Sequence, residues 1–241
     1  MKGILFIGHG TRSKKGAEEA RLFIERVKER IDAPIQELSF LELTEPSIEE
    51  GFRACAEKGA TEITVVPLFL LAAGHIKSDI PQALAPLMNE NPSIKVTISD
   101  PFGLQDLMLD AAAELVRSSA PDLSDQDSVL IVGRGSSDPD TLTDFSKIAE
   151  GIRSRLPVTE VSVCYMAAAS PRLDKGLEEI SKVTRGQVIL VPYLLFSGLL
   201  LNEVKQKVRI RQKQGQNIIH TGQLSRHREI ENIVIQRAAN K

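Results

Sequence analysis

Val65-Val66-Pro67-Leu68-Phe69-Leu70-Leu71 returns later in the chain as Leu190-Val191-Pro192-Tyr193-Leu194-Leu195-Phe196. An unbroken apolar run of this length reads as a strand covered on both faces, the situation of an interior strand in a parallel sheet. A second pair keeps the same offset of 125 residues. Ile4-Leu5-Phe6-Ile7 closes on Gly8-His9-Gly10, and Val129-Leu130-Ile131-Val132 closes on Gly133-Arg134-Gly135. Working outward, short β-branched runs alternate with longer amphipathic stretches. Strands are expected at 3–8, 35–41, 62–69 and 94–98, with helices at 15–31, 47–58, 77–90 and 103–119. The second half repeats the rhythm, with strands near 128–133, 159–166, 187–194 and 217–221 and helices near 141–155, 172–183, 201–214 and 227–238. Residues 17–30 put Ala20, Phe23, Ile24 and Val27 on one helical face. Glu45-Pro46-Ser47 is expected to open a helix, with Pro46 in the first turn. Strand–helix alternation of this kind gives parallel sheets with right-handed crossovers. The expectation is therefore α/β: two tandem doubly wound parallel-sheet domains related by internal duplication. The N-terminal domain is 1–120 and the C-terminal domain 127–241, joined by the polar, Pro-containing stretch 119–127.

Composition narrows the function. The chain has 241 residues, a net charge of −2 and 4% aromatic residues with no Trp. These values offer neither whole-molecule attraction to nucleic acid or anionic membrane nor an aromatic stacking platform. No apolar stretch reaches the roughly 20 residues of a membrane span. The start of the chain lacks the features of a signal peptide. Cys55 and Cys164 form no CxxC pair and read as reduced, semi-buried residues of a cytoplasmic protein.

Holding the repeat register, His9 corresponds to Arg134, Glu42 to Ala167 and His75 to Leu200. Duplication kept the scaffold and removed two imidazoles and a carboxylate from one half. All three groups follow strands of the first half, and in such sheets ligands bind outside the carboxyl ends of the strands. Two His and one Glu at one edge suit a divalent-metal site, general acid/base chemistry, or both. Other readings stay open at this level. Gly8-His9-Gly10-Thr11-Arg12 lacks the spacing and the Lys of a nucleotide-phosphate loop. A phosphohistidine reading would make His9 the nucleophile and Arg12 its clamp. Gly133-Arg134-Gly135-Ser136-Ser137-Asp138-Pro139-Asp140 reads either as an anion-binding nest or as a turn with Asp140 capping a helix. Ala72-Ala73-Gly74, before His75, would let something flat lie against the backbone, or is a plain loop. The basic run 205–213 reads as a solvated helix face. His220 and His227 receive no role.

Four blocks carry a resemblance: Ile7-Gly8-His9-Gly10-Thr11-Arg12, Phe40-Leu41-Glu42-Leu43-Thr44-Glu45-Pro46, Val65 to Leu71, and Gly74-His75-Ile76-Lys77-Ser78-Asp79-Ile80-Pro81. Together they resemble the sirohydrochlorin chelatases, the ATP-independent class II enzymes that insert Fe²⁺ or Co²⁺ into a tetrapyrrole. The second half is similar to the duplicated two-domain form found in bacillus-type siroheme synthesis. The resemblance implies a lyase with His9 as proton-accepting, metal-binding histidine, His75 as second metal ligand and Glu42 as active-site acid. It implies that Phe69, Leu70, Leu71, Ala72, Ala73 and Gly74 line the macrocycle, and that Arg12 and Arg134 meet its carboxylates. Thr11 stands where Ser is common. Metal is then a substrate, no permanent cofactor is needed, and a monomer is expected. The rival from another class is a metal or tetrapyrrole carrier without turnover.

Overall fold

The most apolar strands are those with a neighbour on each side. In the computed structural model, which describes residues 1–72 and 74–239 and only the backbone of His75, β1 (Lys2–Gly8) lies between β2 (Ile35–Phe40) and β3 (Glu62–Pro67). β4 (Lys95–Ile98) completes a four-stranded sheet of order β2-β1-β3-β4, and every pairing is parallel. The second sheet repeats the plan as β6-β5-β7-β8, again all parallel, from β5 (Ser128–Gly133), β6 (Glu160–Tyr165), β7 (Val188–Pro192) and β8 (Ile218–His220). Each expected strand is present, although the third ends at Pro67 and its apolar continuation becomes loop.

Eight α-helices accompany the strands among the described residues, seven between strands and the last after β8: α1 (Lys14–Lys28), α2 (Ile48–Glu57), α3 (Ile80–Glu90), α4 (Asp106–Ser119), α5 (Pro139–Arg153), α6 (Leu173–Val183), α7 (Leu199–Lys213) and α8 (Arg228–Ala238). On one face of the first sheet, Leu5, Ile7, Ile63 and Val65 pack with Ile48, Phe52 and Cys55 of α2 and with Ile80, Leu84 and Leu87 of α3. Ile4 and Phe6 alternate with them and point the other way, yet are equally buried, so both faces of β1 are covered. In α1 the buried stripe is Ala20, Phe23, Ile24 and Val27, as its spacing predicts. The second sheet has the same kind of core, in which Leu130, Val132 and Leu190 meet Leu173 and Leu177 of α6 and Val204 and Val208 of α7.

Two helix starts differ from expectation. Pro46 precedes α2 instead of sitting in its first turn. Ser47 is the cap, and it forms a reciprocal capping box with Glu50. In α5 the cap is Asp138, whose carboxylate accepts from the Asp140 N–H, with Pro139 in the first turn. Asp140 is thus the donor of the capping bond.

The chain divides into two compact units: Met1–Gly103 together with the chain from Glu231 on, and Leu104–Ile230. These are not the sequence halves 1–120 and 127–241. The last helix of each half belongs with the sheet of the other half. In the second unit, Arg155 after α5 bonds Asp106 and Asp110 of α4 at 2.6 and 2.5 Å. In the first unit, Arg26 and Arg30 on and after α1 bond Glu231 of α8 at 2.7 and 3.1 Å. Arg30 and Arg155 are repeat equivalents, and so are Asp106 and Glu231. The exchange is therefore reciprocal, with one clasp made twice. No helix among the described residues is long and apolar enough to cross a membrane.

Candidate active site

His9 and Glu42 emerge side by side because β1 and β2 are neighbours running in the same direction. The ladder between them runs one residue past the strands, with Leu41 N–H donating to the Gly8 carbonyl at 2.8 Å and Glu42 N–H to the His9 carbonyl at 3.1 Å. Gly10 makes this approach possible. Its φ is +90°, and a Cβ there would lie 1.6 Å from the Glu42 carbonyl oxygen. Thr44 Oγ1 accepts from the Thr11 N–H at 2.9 Å and donates to the Thr11 carbonyl at 3.0 Å. The two loops are thereby tied together on either side of the candidate pair.

The side chains meet as the backbones do. His9 Nδ1 lies 3.6 Å from Glu42 Oε1 and 3.3 Å from the Gly10 carbonyl oxygen. Both neighbours are acceptors, an arrangement that suits a proton on Nδ1 with the carboxylate beside the ring. The contact is longer than a good hydrogen bond, which is common where catalytic groups tighten only around substrate. The His9 ring sits 5.9 Å from that of Phe69, centroid to centroid. The side chains of His9 and Glu42 retain 26% and 49% exposure, so a solute can reach both.

The remaining expected residues fall as follows. Phe69, Leu70 and Leu71 are half-buried, and Ala72 and Gly74 are exposed. The carbonyls of Phe69 and Leu70 accept from Phe102 N–H and Gly103 N–H at 3.0 and 2.9 Å, which anchors this loop past the end of β3. Ala73 and the imidazole of His75 lie outside the described residues. The backbone of His75 opens a single π-helical turn, His75–Asp79, ahead of α3. Such turns recur at functional sites. Arg12 is exposed two residues beyond Gly10. Arg134 is exposed in the second unit, directly after β5, where His9 stands after β1. Among the described residues no group of three His, Cys, Asp or Glu converges.

The second unit reproduces this backbone with different side chains. Ala167 N–H donates to the Arg134 carbonyl at 2.8 Å, and a Cβ on Gly135, also at φ +90°, would lie 1.8 Å from the Ala167 carbonyl oxygen. The left-handed residues Leu43 (φ 63°) and Ala168 (φ 54°) correspond, as do the cis peptides before Pro46 and Pro171. Sequence reasoning passed over Leu43. The signal present was the parallel spacing of Leu43-Thr44-Glu45-Pro46 and Ala168-Ala169-Ser170-Pro171.

Fold and site together define a duplicated parallel α/β protein with one histidine–carboxylate pair at a strand edge and a chemically emptied copy. The chain belongs to the CbiX family, whose model matches it twice, over residues 3–119 and 128–241. It is 42% identical to the sirohydrochlorin ferrochelatase of Priestia megaterium over 227 residues, covering 94% of this chain and 85% of that protein. The sirohydrochlorin cobaltochelatase of the same organism is 32% identical over 244 residues, covering 99% of this chain and 79% of that protein. Among solved structures, SirB from Bacillus subtilis with Fe³⁺ superposes with a TM-score of 0.89 at 37% identity, covering 99% of this chain and 96% of that one.

Proposed function

We propose that the chain is a sirohydrochlorin chelatase, a lyase that inserts Fe²⁺ or Co²⁺ into sirohydrochlorin with release of two protons. The observation that carries the proposal is the contact between His9 Nδ1 and Glu42 Oε1, in the one half that retains both groups. The full-length similarity to ferro- and cobaltochelatases supplies the reaction.

In this reading the metal is a substrate, held by His9 and His75 while it sheds water over one face of the ring. Two pyrrole N–H protons must leave as the dication enters. Once His9 has passed the metal to the ring, its freed nitrogen accepts one proton, assisted by the negative charge of Glu42, and the second proton leaves to water. Holding metal and macrocycle together supplies proximity without nucleotide or redox chemistry. The loop Phe69 to Gly74 lines the macrocycle, and Arg12 and Arg134 take its carboxylates. Fe²⁺ and Co²⁺ suit the same His/His/Glu donors, so in-vitro metal preference follows intrinsic affinity as much as the cell's use. A chain that carries both repeats is proposed to act as a monomer. Two unpaired buried thiols suit a reducing cytoplasm.

The test is an anaerobic absorbance assay of sirohydrochlorin with Co²⁺ and then Fe²⁺. Product above the non-enzymatic rate, lost in His9→Ala and His75→Ala, is the expected result. Stoichiometric metal or tetrapyrrole binding without product would identify a carrier instead.

A further inference from the structure

Leu43 is unusual in two ways at once. It is one of two non-glycine residues with positive φ among the described residues, at 63°. It is also 53% exposed, directly after Glu42. The left-handed region is disfavoured for a side chain such as leucine and is taken more readily by glycine or asparagine. A large apolar side chain left in solvent adds a second disadvantage.

Everything around Leu43 is fixed. Glu42 is held by its N–H bond to His9, and Thr44 by two bonds to Thr11. The Glu45 carbonyl accepts from Arg21 Nη2 at 2.7 Å, and the Pro46 carbonyl from Phe40 N–H at 2.8 Å. The repeat separates scaffold from side chain. Ala168 keeps the same left-handed backbone, so the turn belongs to the scaffold, but it carries only a methyl group. Leu43 therefore puts extra apolar bulk on a rigid, strained turn in the half that keeps His9 and Glu42. Strain held in place beside a reactive pair points to a function for the residue that bears it.

We propose that Leu43 is a substrate-contact residue whose side chain packs on the apolar face of the tetrapyrrole and sets the ring's position relative to Glu42. The inference rests on the chelatase reading for its ligand. Leu43 requires a flat apolar surface, whereas the metal makes no use of it, so the two substrates separate the effect.

The experiment titrates metal-free sirohydrochlorin by absorbance into wild type, Leu43→Gly and Leu43→Met, with Co²⁺ affinity and Tm measured alongside. Covering a half-exposed leucine corresponds to about a tenfold change in Kd. Leu43→Gly is expected to weaken sirohydrochlorin binding about tenfold and leave Co²⁺ affinity unchanged. Its Tm is expected to hold or rise, because glycine relieves the left-handed turn. Leu43→Met, which retains apolar bulk, is expected to restore most of the affinity. Sirohydrochlorin affinity within twofold of wild type in Leu43→Gly would overturn the inference while an active wild type leaves the chelatase reading standing. A wild type that binds sirohydrochlorin without inserting metal sinks that reading alone, and the Leu43 comparison still decides the contact. A wild type that binds no sirohydrochlorin overturns both.

Discussion

Gly10→Ala and Gly135→Ala introduce the same defect into the two copies of one turn, one beside chemistry and one not. At Gly10 the new Cβ would sit 1.6 Å from the Glu42 carbonyl oxygen, and at Gly135 it would sit 1.8 Å from the Ala167 carbonyl oxygen. Ordinary contact needs roughly 3.5 Å, so the opposing backbone has to retreat by an ångström or more in each case. Both residues hold φ at +90°, which adds about 1–2 kcal/mol for alanine. The bonds at risk are Glu42 N–H to the His9 carbonyl at 3.1 Å and Ala167 N–H to the Arg134 carbonyl at 2.8 Å, each worth about 1 kcal/mol. Each substitution is thus expected to cost about 2–3 kcal/mol, so the two lower the urea midpoint to a similar extent. Function separates them. Retreat of Glu42 from His9 by an ångström is expected to lower kcat by one to two orders of magnitude, while Gly135→Ala retains the wild-type kcat. Metal-insertion rates below both midpoints give the comparison. Equal loss of kcat in the two variants, or full kcat in a destabilised Gly10→Ala, would refute the claim that the first turn aligns a reacting pair.

The two clasps differ in burial, since the side chain of Glu231 is 12% exposed and that of Asp106 is 85% exposed. Glu231→Gln is therefore expected to lose about 1–3 kcal/mol in urea denaturation and Asp106→Asn little that is measurable; equal losses would contradict this. Burial pushes the Cys55 and Cys164 thiols up to about 12, so above their usual value near 9 the unfolded chain releases protons that the native chain keeps. Stability then falls as pH rises from 9 toward 12, by up to about 1.4 kcal/mol per pH unit per thiol, and replacing both by alanine is expected to flatten that slope. Burial, together with the charges of Lys205, Arg226 and Arg209, lowers the pKa of His220, whose Nδ1 accepts from Gly222 N–H at 3.1 Å. The unfolded state then binds the proton first, so stability is expected to drop as pH falls below about 6.5; His220→Asn, followed by thermal melting, is expected to lose that acid limb.

The parallel sheets were legible because β1, β3, β5 and β7 are buried on both faces and carry little besides apolar residues. The His9–Glu42 pair was legible for a topological reason: adjacent parallel strands deliver the residues after them to one edge. The helix exchange was not. The amphipathic faces of α4 and α8 fit either sheet by pattern alone, whereas Arg26, Arg30, Arg155 and their carboxylates record which partner each takes. The helix starts at Pro46 and Asp140 were misplaced by one and two residues because local hydrogen bonds choose the cap among several competent side chains. Nothing in a leucine announces a left-handed backbone, and in the sequence only the matching spacing with Ala168 marks Leu43. The turn is held by closure at Gly10 and by the bonds of Glu42 to His9 and of Thr44 to Thr11.

The claim that His9 and Glu42 act as one unit is tested most directly by a double-mutant cycle on the rate of Co²⁺ insertion into sirohydrochlorin. The variants are His9→Ala, Glu42→Gln and the two combined. A working pair predicts a large loss in each single variant, with the double variant no slower than the worse single. Losses that multiply, or a Glu42→Gln variant at wild-type rate, would contradict it.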